Sequence, residues 1–579
     1  MLKYLKPYAL FALLAPLTMV GEVLMDLLQP KLMSQIVDDG VLAQNMSVII
    51  RTGVLMTLLL VFGGACGIAA SAFSGVASQS FSRDLRVDVF SKVMGLSFEQ
   101  TDKFTTGSLV TRLTTDITAI QQVIDFCLRM LVRDSLMFIG GIIMMLTLDV
   151  HFGLIIVCAL PIEIAVMLIV LKKADPYYTI VAKRLDNVNS VVQENVTGAR
   201  VVKAYVREDY ESERFNKANC DLMESNLKVQ KLMAILQPVL MLVMNISVVA
   251  VIIIGGFQAQ AQEMKIGEIM AAITYLTRIL QGVMMMSMMF QTVSRAMASV
   301  RRINEVLETE PAVKDGTVSL DNGTKGTKGT KGTVTFRNVS FSYPDTKGRP
   351  VISGLDLDIR KGENIAVLGA TGSGKTSLVN LIPRFYDCTE GEVLVDGVNV
   401  KELNTHELRD KIGIVLQKSE LFSGTAADNI KWGDESASTD EVKAASEIAQ
   451  ADEFISKMPD AYDSVIAEKG ASLSGGQKQR LSISRAVLKK PEIIIFDDST
   501  SALDLGTEAK LQKQLHESLA GTTFITIAQR IASVKNCDRI AVLDHGKLVG
   551  CDSHEKLLES CEVYKDIYNS QVKTTGGEA

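Results

Sequence analysis

The chain is poor in the patterns that build metal and disulfide scaffolds. Its eight cysteines (Cys66, Cys127, Cys158, Cys220, Cys388, Cys537, Cys551 and Cys561) are scattered, with no CxxC pair and no histidine at ligand spacing. A disulfide framework and a zinc site are therefore excluded, and free thiols are expected in a reducing compartment or a bilayer. It also lacks a basic excess: 60 Lys and Arg stand against 66 Asp and Glu, a formal net charge of -6. Nothing in that balance points to nucleic acid, and an ordinary solvated surface accounts for it. At the start, Met1–Lys6 carries two lysines ahead of an apolar run, yet no small-x-small cleavage site follows and the run continues through Leu28. The segment reads as an uncleaved first membrane span with a cytosolic N-terminus, not as a secretory leader.

A length of 579 residues exceeds what one core supports, and the 47% hydrophobic content conceals a division. Nearly all long apolar runs precede about residue 292, and the remainder reads as an α/β domain. A helix needs about 20 mostly apolar residues to cross the hydrocarbon. Six segments qualify, near 8–29, 52–76, 128–148, 151–171, 234–257 and 268–290. The connections after the second and fourth spans are long and polar, and they carry Arg83, Arg86, Lys92, Arg112, Lys172, Lys173, Lys183, Arg184 and Arg200. The short connections carry few basic residues, so the positive-inside bias places the long ones in the cytosol. Each is expected to be two helical extensions joined at a turn, near Gly107 and near Gly198.

Ionisable residues inside spans are costly, so Glu22, Asp26 and Glu163, the flanking Arg129, Arg133 and Asp134, and Arg278 stand out. They fit either helix-to-helix pairing and snorkelling or a polar spot in a substrate cavity. The methionines Met284, Met285, Met286, Met288 and Met289 fit packing and lipid contact, or a surface that accepts many shapes. Residues 309–333 turn polar, with Gly323–Thr333 reading GTKGTKGTKGT. That repeat is too short for a collagen-like assembly and lacks proline, so a flexible, solvated linker is expected between domains 1–308 and 334–579.

From Val334 the pattern alternates as in a strand. The apolar strand Ile365–Leu368 then runs into Gly369-Ala370-Thr371-Gly372-Ser373-Gly374-Lys375-Thr376, with Ser377 next. This is a phosphate loop in its required setting between strand and helix. Its glycines let backbone N–H groups turn toward phosphate oxygens, Lys375 neutralises the β- and γ-phosphates, and the Thr376 hydroxyl suits Mg²⁺. A second apolar strand, Ile493–Asp497, ends in a carboxylate that matches the Walker B arrangement. Upstream, Leu473-Ser474-Gly475-Gly476-Gln477 precedes a helix expected over Lys478–Leu488, and forms a second anion site.

In this order, the phosphate loop, Gln417, the LSGGQ signature, the Walker B strand and the Ser501–Asp504 loop resemble the ATP-binding cassette (ABC) superfamily. With six spans fused ahead of them, essentially the whole chain resembles a half-size ABC exporter of the multidrug and lipid type. The resemblance implies two domains: an all-α six-helix transmembrane domain and an α/β P-loop nucleotide-binding domain. It also implies ATP and Mg²⁺ as ligands, with Thr376, Gln417 and Asp497 at the metal and Tyr343 stacked on adenine. Glu468 and Gly470, and the stretches Phe98–Thr115 and Thr197–Glu211, would couple the cassette to the membrane helices. Such cassettes pair head-to-tail, so Leu473–Gln477 and Asp504 would serve a site on a second chain. A plasma membrane location and an amphipathic cargo go with that likeness.

Two positions depart from the family pattern. Directly after Asp497 the family's hydrolytic members carry Glu, and this chain has Asp498. The switch stretch Phe524–Arg530 has Gln529 where the family has His, and all five histidines (His151, His406, His516, His545, His554) lie elsewhere. A carboxylate shorter by one methylene and a side chain that cannot become a cation both weaken attack on the γ-phosphate. The pair resembles the degenerate subunit of a heterodimeric exporter. A slow homodimeric exporter and a regulatory or channel-like subunit remain as alternatives.

Overall fold

The computed structural model describes the backbone of residues 1–319, 331–346 and 349–575. Side chains are described for the same residues except 2, 283–291, 294–295, 345, 505 and 572–575. The chain divides into two compact units, Met1–Met94 with Thr106–Thr309, and Gly95–Thr105 with Glu310–Ala579.

The first unit is all helix. In chain order it holds α1 (Ala9–Gln35) and α2 (Met46–Met94), with α3 (Phe98–Phe104) belonging to the other unit. It continues with α4 (Thr106–Thr111), α5 (Ile117–Phe126), α6 (Val132–Leu148), α7 (Val150–Thr197), α8 (Ala199–Ala204), α9 (Glu208–Gln260) and α10 (Ile266–Glu308). Wider π-helical turns at Arg112–Asp116 and Cys127–Leu131 join α4, α5 and α6 into one continuous rod. Among the described residues, five helical stretches are long and apolar enough to cross a membrane: Lys6–Leu42, Met46–Met94, Thr106–Leu148, Val150–Thr197 and Glu208–Gln260. The sixth expected span falls in α10, and its methionine cluster lies outside the described side chains. Aliphatic side chains from α1, α6, α7, α9 and α10 form the buried centre, where Tyr275 donates its hydroxyl to the Leu27 carbonyl at 2.6 Å.

The turn expected near Gly107 falls two residues earlier: Gly107 itself lies within α4, and the break between α3 and α4 is at Thr105, with a φ of 55°. A β-branched residue carries that conformation at a cost that glycine would avoid. Gly198 ends α7 and starts α8.

The second unit is built on two sheets. Strands β1 (Val334–Phe341), β2 (Ile352–Ile359), β3 (Asn364–Gly369), β4 (Glu390–Val395), β5 (Val398–Asn399) and β6 (Ile412–Val415) are followed by the short pair β7 (Gly424–Thr425) and β8 (Val465–Ile466). Then come β9 (Ile493–Asp497), β10 (Thr523–Ile527), β11 (Arg539–Asp544) and β12 (Lys547–Asp552). An antiparallel sheet runs β2-β1-β4-β5, and a second sheet runs β12-β11-β3-β10-β9-β6, parallel except for β12. Its central strands β3 and β9 are apolar between Asn364 at the start of one and Asp497 at the end of the other, because both of their faces are buried. The linker expected over 309–333 is tied down in part. Gly316 and Val318 exchange backbone hydrogen bonds with Glu402, Leu403 and Asn404, and the Thr405 amide donates to Asp315. Residues 320–330, most of the Gly-Thr-Lys run, lie outside the described residues.

Candidate functional site

The parallel sheet sets the chemistry, since the carboxyl ends of its strands are where loops converge. β3 ends at Gly369, and a Cβ there would meet the Leu543 carbonyl oxygen at 2.2 Å, so only glycine permits the approach of β11. The loop then turns through Gly374, whose φ of 97° suits glycine, into the helix α11 (Lys375–Asn380). Lys375 curls back over the loop, and its Nζ donates to the Gly369 and Ala370 carbonyls at 2.8 Å each. Burial pushes its ammonium pKa down.

β9 delivers the acids. Asp497 Oδ1 accepts from Thr376 Oγ1 at 3.0 Å. Asp498 follows in left-handed backbone, with a φ of 48°, its N–H bonded to the Ile527 carbonyl of β10. Its Oδ2 accepts from Gln417 Nε2 at 3.3 Å and from Gln529 Nε2 at 2.9 Å. Burial raises the pKa of both carboxyls, and the two amides and Lys375 oppose that rise at Asp498.

These groups line one cleft of about 220 Å³, formed by Val351, Thr371, Gly372, Gly374, Lys375, Thr376, Ser377, Gln417, Asp497, Asp498, Ile527 and Gln529. Most of the residues expected at the phosphates are thus gathered at one place. Ser373 is buried beside them. Val351 and Ile527 are not recognisable from sequence, because apolar wall residues carry no motif. Tyr343 does not line this cleft. It lies just past the end of β1, its ring is edge-on to Phe341 and Tyr386, and its hydroxyl sits 3.1 Å from Ser377 Oγ.

None of the signature residues lines the cleft either. Ser474 caps a helix that begins at Gly475, three residues earlier than expected, and runs to Leu488. Its Oγ accepts from the Gln477 N–H at 3.3 Å, while Gln477 Oε1 accepts from the Ser474 N–H at 2.8 Å, a reciprocal capping box. Gln479 on that helix accepts from the Ala502 N–H at 3.3 Å, tying the signature to the loop after β9. At the far end of that loop Asp504 caps the helix Leu505–Ser518 by accepting from the Thr507 N–H at 2.9 Å. The Ser501 hydroxyl donates back to the Asp498 carbonyl at 2.8 Å.

The donor set fits a small hard cation. Thr376 Oγ1 and Asp497 are oxygen ligands on adjacent loop ends, Gln417 is within reach of the same cleft, and Asp497 is desolvated in a way a cation would relieve.

The same organisation recurs in known proteins. Residues 12–284 match the ABC transporter transmembrane region and residues 352–501 match the ABC transporter family. Over all 579 residues the chain is 39% identical to an uncharacterized ABC transporter ATP-binding protein, YfiB of Bacillus subtilis, covering 100% of this chain and 99% of that one. It is 31% identical to an ATP-dependent lipid A-core flippase of Syntrophus aciditrophicus, over 93% of this chain and 88% of the other. The structure of a bacterial Atm1-family ABC exporter with ATP bound superimposes with a TM-score of 0.79 at 25% identity, covering 98% of each chain. With a helical membrane region fused to a nucleotide-binding cassette, the chain belongs to the ABC transporter family, as a half-size exporter and transport ATPase.

Proposed function

We propose that the chain is the slow-site subunit of a heterodimeric exporter that moves amphipathic compounds out of the cell. The observation that carries this reading is the environment of Asp498. Its carboxylate is held back by two neutral amides, Gln417 and Gln529, at 3.3 and 2.9 Å. A glutamate at this position would project about 1.5 Å further into the cleft, by one carbon–carbon bond. An attacking water needs its base within hydrogen-bond reach, and a displacement of about 1 Å costs about 100-fold. Gln529 hydrogen-bonds but supplies no positive charge as the γ-phosphate leaves.

In this reading ATP enters the cleft with its phosphates along 369–377 and its adenine against Tyr343. Thr376, Gln417 and Asp497 would hold Mg²⁺, which when bound would supply positive charge beside the phosphates. Lys375 adds its own charge, and its two carbonyl bonds hold it over the loop. Ser474 and the Gly475–Gly476 amides close the competent site on the second chain, which supplies the glutamate and histidine missing here. The cassettes then alternate between apart and together, and the coupling segments pass this to the membrane helices.

Within the cassette unit, α3 is already docked: Tyr386 donates to Asp102 Oδ2 at 2.8 Å, and Phe98 packs on Phe385 with centroids 4.5 Å apart. The second coupling segment exposes Val201, Tyr205, Val206 and Tyr210, an apolar surface suited to the other chain's cassette. Basic residues in the long connections favour a cassette and N-terminus on the cytosolic side of a plasma membrane. Likeness to a lipid A-core flippase favours an amphipathic cargo. The test is co-purification from the native membrane, then ATPase measurement on the pair and on this chain alone. The pair should turn over and the chain alone should be nearly silent. A chain that alone hydrolyses ATP rapidly and transports would end the proposal.

A further inference from the structure

The switch stretch is held from behind by a side chain that belongs to no motif. β10 ends at Ile527, and the chain runs through Ala528, Gln529 and Arg530 into a short helix, Ile531–Val534. Arg530 is extended, with a φ of -99° and a ψ of 127°. Extended backbone turns the carbonyl before it and the N–H after it to one side, the pair that a neighbouring strand would bond. Here a side chain takes the strand's place. Gln571 Nε2 donates to the Gln529 carbonyl at 2.7 Å, and Gln571 Oε1 accepts from the Ile531 N–H at 2.9 Å. A primary amide carries both roles on one planar group. Arg530 offers no side-chain cap to the short helix, so Gln571 also satisfies one of its orphan N–H groups.

The place of Gln571 follows from the helix that carries it, Glu562–Thr575. Tyr564, Ile567 and Tyr568 recur at helical spacing and pack in one apolar cluster with Leu368, Ala528, Ile531 and Val534. Gln571 is next on that stripe, four residues after Ile567 and three after Tyr568. The stripe alone calls for a hydrophobe; the backbone beneath it calls for an amide. The opposite side of the switch stretch meets the cleft. Gln529 Nε2 donates to Asp498 Oδ2 at 2.9 Å, and Arg530 donates to the Ser501 carbonyl at 3.2 Å. Gln529 is itself exposed, so its aim depends on the backbone that bears it.

We propose that Gln571 is a positioning residue for the γ-phosphate end of the cleft. It fixes the backbone on both sides of residue 530 and so aims the Gln529 amide. The helix Glu562–Thr575 thereby sets how well the cleft tells a nucleoside triphosphate from a diphosphate. The inference rests on the reading that Gln529 hydrogen-bonds the γ-phosphate, and not on the rate of hydrolysis.

The test uses the full chain in phosphatidylcholine nanodiscs with Mg²⁺. Equilibrium binding of adenylyl imidodiphosphate, a non-hydrolysable triphosphate, is compared with that of ADP. Gln571→Ala should weaken the triphosphate by about fivefold, the worth of one hydrogen bond lost, and ADP by less than about twofold. In a Gln529→Ala background the same substitution should move triphosphate affinity less than about twofold, because no amide is left to aim. A merely structural role predicts equal losses for both nucleotides and the same loss in either background. Should Gln571→Ala not fold, Gln571→Glu keeps the length and the acceptor toward Ile531 but loses the donor toward Gln529, and should lower triphosphate affinity at least as far. Unchanged triphosphate affinity, an equal loss for ADP, or a loss that persists without the Gln529 amide would each overturn the inference. If Gln529→Ala alone leaves triphosphate affinity unchanged, the γ-phosphate reading falls and this inference with it. Failure of the slow-site reading would show separately, in the ATPase rates.

Discussion

Replacing Asp498 with Glu and Gln529 with His in the same chain isolates the cause assigned to slow turnover. The longer side chain advances the carboxylate by about 1.5 Å, past the point where the Gln417 and Gln529 amides now hold Asp498 Oδ2 at 3.3 and 2.9 Å. Restoring a base to within reach is worth about 100-fold, or about 2.7 kcal/mol of barrier, and a protonatable His adds charge stabilisation on top. The backbone at residue 498 has a φ of 48°, which Asp tolerates better than Glu, so a modest loss of stability is expected alongside the gain in rate. The assay must see this cleft and not the other one. Ser474→Ala in the same chain quiets the partner's site, because that site borrows this chain's signature. In that background, phosphate release from the reconstituted pair should rise about 100-fold on adding the two substitutions. A change smaller than about threefold would refute the length argument. So would a wild-type chain that, alone, already turns over at about 1 s⁻¹, an ordinary enzyme rate.

Further outcomes follow from the same geometry. Lys375→Ala should abolish the thermal stabilisation that ATP confers, which at 100 times Kd is about 2.7 kcal/mol, yet leave residual hydrolysis at the partner's site. Ser474→Ala should instead cut turnover of the pair more deeply while costing about 1 kcal/mol through its lost cap, and equal effects of the two would contradict the division of labour. Tyr386→Phe removes the 2.8 Å bond to Asp102 that fastens α3 to the cassette, and should lower substrate-stimulated ATPase while basal ATPase stays within about twofold. The Asp498 carboxyl has its pKa raised by burial above the ordinary 3.8, so the native state holds that proton more tightly than the unfolded chain. Stability from this group is present below pH 3.8 and is lost as pH rises through the elevated value. Asp498→Asn should therefore melt higher than wild type at pH 7 without nucleotide, with the gap closing toward pH 4 in a scanning calorimeter.

The motif chemistry is legible in the sequence because it is local. Gly369–Ser377, Leu473–Gln477 and Ile493–Asp497 each sit on a few consecutive residues whose φ values, N–H directions and strand or helix flanks are set nearby. The apolar runs are legible for the same reason, since a bilayer filters segment by segment. Asp498 and Gln529 stand out only against the pattern of the family that these motifs resemble. What tertiary structure decided is where separate segments meet. Gln417, Asp498 and Gln529 stand on three different strand ends, and only the β6-β9-β10 order brings both amides onto one carboxylate oxygen. Glu22, Asp26, Arg133 and Arg278 read as isolated oddities until helix packing brought α6 and α10 against α1. The turn near Gly107 is legible only to within two residues, because glycine tolerates helix as well as turn and the break falls on Thr105. Interactions along the chain fix which chemistry is present; interactions across it fix which groups that chemistry can reach.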